Sequence, residues 1–273
     1  MIKYLIFGNG FIGNKFNNYL PDSVIAKERM SCINDVDLQI QKYDPEIVIN
    51  CIGKTGVPNV DWCEIHKEET FFSNVTIPAF MAEACEELEK YMVHMGSGCI
   101  YEGNKKYPET HAANFTGSFY SKTKIYSQEI LQYYDNILQM RIRMPIDDRP
   151  SPKNLITKLT GYKKVINTSN SVTCIPDLLQ ASRALIESKR TGIYNIVNKG
   201  VITHKEILEM YRDIVDPKFM MPEIISVDEL GNITLAGRSN CTLSTVKLEQ
   251  EGIYMKPVKY AIAECMKNYG KVL

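Results

Sequence analysis

The sequence predicts an α/β protein, a Rossmann-type doubly wound parallel sheet with a smaller C-terminal substrate-binding lobe. Three observations carry that expectation. Short apolar runs of strand length alternate with helical patterns over the first two hundred residues. The first run leads directly into a glycine-rich turn and a helix. After Met144 the texture changes to a linker holding Pro145, Asp147, Asp148, Pro150 and Pro152.

Taken in order, Ile2 to Phe7 reads as an apolar strand, Gly8-Asn9-Gly10-Phe11-Ile12-Gly13 as a tight turn, and the stretch to Leu20 as a helix. Strand, glycine turn and helix make a dinucleotide site, because glycines let a pyrophosphate approach backbone N–H groups at the helix N-terminus. The further strands are expected at 23–26, 47–52, 91–95, 137–142 and 192–197. The helices between them are expected at 35–42, 74–89, 118–134 and 175–188. Beyond the linker, a helix is expected from Asn154 to Gly161, and another starts at Thr203-His-Lys-Glu206, a capping-box pattern. The expected division gives residues 1–145 to a dinucleotide-binding Rossmann domain, with 164–200 returning to it. Residues 146–163 and 201–273 fall mainly to the substrate-binding lobe.

Composition narrows the function. The chain has 273 residues, 44% of them hydrophobic, enough for a full core. Its 32 basic and 32 acidic residues cancel and form no basic stripe, so a small ligand is expected rather than nucleic acid. No apolar run has membrane-spanning length and no signal-peptide pattern opens the chain. Eight scattered cysteines without C-x-x-C spacing argue against zinc and for free thiols in a reducing cytoplasm.

The choice of nicotinamide cofactor turns on the end of the second strand, Ala26-Lys27-Glu28-Arg29. An acidic residue there holds a ribose 2′-hydroxyl, and a basic one accommodates a 2′-phosphate. Lys27 and Arg29 flank one carboxylate, which favours NADPH over NADH. The other reading of these residues is a solvated charged turn.

Tyr120 and Lys124 form a Tyr-x-x-x-Lys pair. Positions i and i+4 share a helix face, so the lysine ammonium lies near the phenol and favours its ionised form. A free phenol, with a pKa of about 10, is a poor acid at neutral pH, and a neighbouring cation brings it toward the working range. The pair points to carbonyl reduction or oxidation, although an exposed helix face has the same spacing.

Longer stretches carry a resemblance. They are Gly53-Lys-Thr-Gly56 with Pro58-Asn-Val-Asp-Trp-Cys-Glu64, the Gly-Cys-Ile segment at 98–100, and Asn114-Phe-Thr-Gly-Ser-Phe-Tyr-Ser-Lys-Thr-Lys124. Arg141-Ile-Arg-Met-Pro145, Ile156-Thr-Lys158 and His204-Lys-Glu-Ile-Leu-Glu-Met-Tyr-Arg-Asp213 complete them. With them the chain resembles the extended short-chain dehydrogenase/reductases acting on nucleotide sugars. Within these it resembles the bifunctional UDP-4-keto-6-deoxy-D-glucose 3,5-epimerase/4-reductases. It departs in one place: the family spaces its first glycines G-x-x-G-x-x-G, and this chain has one residue fewer between Gly8 and Gly10.

The resemblance implies conversion of UDP-4-keto-6-deoxy-D-glucose to UDP-L-rhamnose with NADPH. Tyr120 would protonate the C4 oxygen, Lys124 would lower its pKa and hold the nicotinamide ribose, and Ser97 would hydrogen-bond the carbonyl. Cys99, two residues after that serine, is the implied base for C3 and C5, since a thiol of pKa about 8.5 is activated by a nearby cation. Lys158 is the implied opposing acid, because burial lowers a lysine pKa. Cys51 and Gly53 would join the cofactor site, while Asn74, Ser97, Asn170 and Arg238 would contact substrate, a guanidinium suiting the diphosphate. A homodimer is also implied. Two other readings stay open: a reductase alone, acting on a dTDP- or GDP-linked ketosugar, and a non-catalytic nicotinamide-sensing module.

Overall fold

In the computed structural model, which describes residues 2–271, the chain runs through β1 (Tyr4–Phe7), α1 (Phe11–Tyr19), β2 (Ser23–Ala26), α2 (Ile33–Tyr43) and β3 (Ile47–Asn50). It continues through α3 (Asp61–Ile65), α4 (Lys67–Phe71), α5 (Ile77–Glu87), β4 (Tyr91–Ser97), α6 (Phe119–Leu131) and β5 (Ile137–Ile142). Then come α7 (Leu155–Thr160), α8 (Ile175–Glu187), β6 (Gly192–Asn195) and α9 (His204–Ile214). Every side chain of β1 and β3 is buried, as expected for strands covered on both faces of a parallel sheet.

The six strands form one sheet in the order β6, β5, β4, β3, β1, β2. β1 pairs in parallel with β2 and with β3, and β3 with β4. The winding therefore reverses between β1 and β3, whose last residues, Phe7 and Asn50, lie in register. At such a switch point the carboxyl ends of the strands open a crevice for a ligand. One core cluster joins Leu5, Phe7, Val36, Ile40, Val48, Met81 and Met92. Burial of each such side chain contributes about 1.5–3 kcal/mol.

Two compact units result. The first holds the chain up to Ile100, Phe115–Arg141 and Arg183–Tyr194, and the second holds Tyr101–Asn114, Ile142–Ser182 and the chain from Asn195 onward. Residues 164–182 and 195–200 thus lie in the second unit rather than returning to the first. Local pairing explains this, because Thr173–Cys174 pairs with Pro145–Ile146 and Lys164–Ile166 with Glu223–Ile225. The second unit has its own core, including Ile146, Ile156, Leu159, Ile207, Leu208 and Ile262. Its helix α9 starts with the expected capping box: Glu206 N donates to Thr203 Oγ1 at 3.1 Å and Thr203 N to Glu206 Oε2 at 2.9 Å.

One helix differs from the expectation. The stretch expected to be helical from Asn74 opens as a π-helical turn, Phe72–Thr76, before α5 starts at Ile77. Pro78 has no N–H to donate to the carbonyl of Asn74 four residues back, so regular α-helical bonding is interrupted there. Among the described residues no helix is long and apolar enough to cross a membrane.

Candidate functional site

The glycine turn after β1 divides its labour among three positions. Gly8 adopts φ +107°, a conformation open to glycine, and a Cβ there would lie 2.8 Å from the Cys51 carbonyl carbon. A Cβ on Gly13 would stand 1.9 Å from the Gly8 carbonyl oxygen, so this glycine lets α1 close onto the turn. A Cβ on Gly10 would meet nothing within 4 Å. The open space lies at the N-cap of α1, a position where helix N–H groups can receive an anion. The spacing with one residue fewer thus still builds the turn. Asn9 and Asn14 brace it through a 3.0 Å side-chain bond, and Phe11 and Ile12 are half-buried at the start of α1.

Cys51 leaves β3 with its N–H bonded to the Phe7 carbonyl at 2.8 Å, and burial pushes its thiol well above the ordinary range. It packs under the turn as a neutral group. Lys27 and Arg29 are exposed after β2. The carboxylate between them is already engaged, because Glu28 accepts from Lys42 at 3.0 Å and from its neighbour's N–H at 3.1 Å. These bonds lower the Glu28 pKa, the Lys42 side chain first among them.

At the carboxyl end of β4, Ser97 is 5% exposed, and its Oγ accepts from the Cys99 N–H at 3.1 Å. The Cys99 carbonyl accepts from Ser121 Oγ at 2.6 Å, which ties the Ser97–Cys99 turn to the first turn of α6. Cys99 is half-buried, and none of the eight cysteines is in a disulfide. Tyr120, the residue before Ser121, is half-buried. Lys124 is 6% exposed and donates to the Met95 carbonyl at 2.9 Å. Desolvation brings its pKa down from 10.5 to about 8. The first unit therefore brings Ser97, Cys99, the start of α6 and Lys124 onto the ends of the central strands.

A histidine beneath the site completes this buried polar layer. His94 on β4 meets Asn50 Nδ2 at 3.1 Å and Ser127 Oγ at 3.4 Å. Burial, with the Lys124 charge adding, holds its pKa well below the ordinary value, so it stays neutral. It is a strand residue, as the sequence suggests, and His111 lies in a loop.

Asn74, the expected substrate contact, lies in the π-helical turn ahead of α5. It is fully buried and its amide is consumed inside the protein. Oδ1 accepts from Lys54 N at 2.7 Å, while Nδ2 reaches the Lys54 carbonyl and Thr123 Oγ1, each at 3.0 Å. Asn74 thereby fixes the loop after β3 to α6. Gly53 leaves room for this bond, since a Cβ there would lie 3.3 Å from Asn74 Oδ1.

The remaining expected residues belong to the second unit. Asn170, also an expected substrate contact, is 1% exposed and bonded on several sides within the protein. Its Oδ1 accepts from Arg143 and from Cys241 N, and its Nδ2 donates to Asn240 Oδ1 at 2.9 Å. Arg238 is half-buried, with Nη1 donating to the Ala236 carbonyl at 2.6 Å. Lys158 on α7 is half-buried, and desolvation, with the Lys153 charge second, lowers its pKa. No group of three metal-binding side chains occurs among the described residues.

A glycine cradle open at Gly10, a Ser–Tyr–Lys set at the strand ends and a nearby thiol suit nicotinamide chemistry on a carbonyl. The chain is 40% identical over 264 residues to a trifunctional UDP-glucose 4,6-dehydratase/UDP-4-keto-6-deoxy-D-glucose 3,5-epimerase/UDP-4-keto-L-rhamnose-reductase of Arabidopsis thaliana. That match covers 92% of this chain and 39% of the plant protein, so the chain spans about two fifths of that relative's length. It is 38% identical over 278 residues to the bifunctional dTDP-4-dehydrorhamnose 3,5-epimerase/dTDP-4-dehydrorhamnose reductase of the same plant, covering 95% of this chain and 91% of the relative. Among solved structures, the L780 UDP-rhamnose synthase of Acanthamoeba polyphaga mimivirus superposes with a TM-score of 0.93 at 30% identity, covering 97% of this chain and 99% of that one. With residues 8–145 also matching the family model directly, the chain belongs to the NAD dependent epimerase/dehydratase family.

Proposed function

We propose that this chain is a bifunctional 3,5-epimerase and NADPH-dependent 4-keto reductase that converts UDP-4-keto-6-deoxy-D-glucose to UDP-L-rhamnose. One observation carries the reading: the Ser97–Cys99 turn is bonded through Ser121 to the helix bearing Tyr120 and Lys124, so an epimerising thiol and a reducing pair share one end of the sheet. The similarity to a bifunctional epimerase/reductase over nearly its whole length supports the same pairing of activities.

The cofactor, when bound, supplies the hydride for C4. The protein supplies the rest. Ser97 donates to the C4 oxygen and polarises the ketone, which makes the protons on C3 and C5 acidic. Cys99 removes those protons, and Lys158, whose pKa burial lowers from the ordinary lysine value, returns them with inverted configuration. Tyr120 then protonates the C4 oxygen, with the Lys124 ammonium favouring its ionised form afterwards. The fixed position of Lys124 on Met95 sets the height of that charge along the helix.

NADPH is favoured because Lys27 and Arg29 are exposed for a 2′-phosphate while Glu28 is held by Lys42. Arg238 suits the diphosphate of the substrate. The first unit is the NADPH-binding domain and the second the substrate-binding lobe. The chain works as a cytoplasmic homodimer: eight thiols outside disulfides suit a reducing compartment, and a groove of about 770 Å³ lined by Phe71, Tyr126, Ile130 and Tyr133, with Glu86 and Glu129 beside them, suits a second copy. The test is incubation with UDP-4-keto-6-deoxy-D-glucose and NADPH, with product configuration read by NMR. UDP-L-rhamnose is the expected product. A chain that reduces only pre-epimerised ketosugar is a reductase alone, and one that neither oxidises NADPH nor exchanges carbon-bound protons refutes both readings.

A further inference from the structure

We infer that Glu64, on α3, is a positioning residue for Tyr120. The Phe119 N–H, in the first turn of α6, donates to Glu64 Oε1 at 2.6 Å, a contact spanning 55 residues of chain. The first N–H groups of a helix have no partner within it, and each needs one from outside. Here Ser118 Oγ takes the Ser121 N–H at 3.1 Å and Glu64 takes that of Phe119. Tyr120 lies between these two anchored amides. A carboxylate also interacts favourably with the positive end of the helix.

Glu64 stands on a stiff mount. Asp61 N donates to Asn59 Oδ1 at 2.8 Å, and the ring of Trp62 stacks on that of His66 with centroids 3.9 Å apart. Gly56, at φ +70°, lets the loop press against Trp62, since a Cβ there would lie 2.6 Å from the Trp62 Cβ. One turn further along α6, Asn74 holds Thr123, whose Oγ1 donates to the Tyr120 carbonyl at 2.7 Å. Tyr120 is therefore set from both sides: by Glu64 at the preceding amide and by Asn74 through Thr123. Proton transfer depends steeply on such placement, and an error of an ångström costs about a hundredfold. Glu64 touches neither substrate nor cofactor in this scheme; it acts by fixing the backbone that presents the phenol.

The inference rests on Tyr120 being the proton donor, and Glu64→Ala and Glu64→Gln test it, because the amide oxygen of glutamine can still accept the Phe119 N–H. Amide hydrogen exchange without substrate should be at least tenfold faster at Phe119 in E64A and near wild type in E64Q. With full NADPH-binding stoichiometry retained, E64A should reduce pre-epimerised ketosugar at least tenfold more slowly, while deuterium uptake at C3 and C5 stays within threefold. E64Q should recover reduction to within threefold. Wild-type reduction in E64A, equal losses in E64Q and E64A, or loss of NADPH stoichiometry in step with reduction would overturn the inference. A wild-type chain inert toward the ketosugar would instead defeat the functional reading, and exchange at Phe119 would still decide whether the clamp exists.

Discussion

Lys124 Nζ donates to the Met95 carbonyl at 2.9 Å, so the cation proposed to tune Tyr120 is held by the strand that carries Ser97. That placement has a thermodynamic cost. Lowering the lysine pKa from 10.5 to about 8 by desolvation corresponds to roughly 3 kcal/mol against the charged form. The penalty is complete below pH 8. Between pH 8 and 10.5 the unfolded chain binds more protons at this site than the folded one, so stability rises with pH across that window.

Lys124→Met should therefore be more stable than wild type and nearly inactive. Loss of the bond to Met95 offsets about 1 kcal/mol, leaving a gain of about 2 kcal/mol at pH 7. Chemical denaturation at pH 7 and pH 10, without cofactor, checks this. The gain should shrink at the higher pH, and keto reduction should fall by about a hundredfold or more.

The glycine turn separates folding from binding. Gly13→Ala places a methyl carbon 1.9 Å from the Gly8 carbonyl oxygen, so α1 must move. A loss of about 2 kcal/mol or more is expected in thermal unfolding. Gly10→Ala meets nothing within 4 Å beyond its own chain neighbours and should leave the melting temperature nearly unchanged. Its methyl group occupies the space proposed for pyrophosphate, so NADPH affinity by fluorescence titration should fall at least tenfold.

Arg29→Ala should weaken NADPH binding by about tenfold, equivalent to about 1.4 kcal/mol, and leave NADH binding unchanged. The argument is that the guanidinium has the 2′-phosphate as its target, while Glu28 is engaged with Lys42. Equal effects on both cofactors would place Arg29 outside the discriminating contact.

The central sheet was legible because β1 is a continuous apolar run, β3 is one up to its last residue, Asn50, and the glycines mark the turn between β1 and α1. The capping box at Thr203 was legible for the same reason: its two partners lie three residues apart. What sequence could not reveal were partners far along the chain. The amide of Asn74 turns inward to Thr123, 49 residues away, and Asn170 reaches Asn240 across 70. A side-chain type at a motif position says that a polar group is needed there, not whether it faces ligand or protein. The short strand Lys106–Tyr107 joins the second unit by pairing with Thr242–Leu243, and two residues carry no periodicity to announce it. The trigger for the π-helical turn at Phe72–Thr76 was visible as Pro78, but its outcome depends on how the freed carbonyl is accommodated.

The most direct test of the bifunctional account follows deuterium at C3 and C5 of UDP-4-keto-6-deoxy-D-glucose by NMR, in D2O with NADPH, for wild type and Cys99→Ala. Wild type should yield UDP-L-rhamnose with solvent deuterium at both carbons. C99A should lose incorporation at both while still reducing pre-epimerised ketosugar. Formation of the normal product from the unepimerised sugar by C99A would contradict the account.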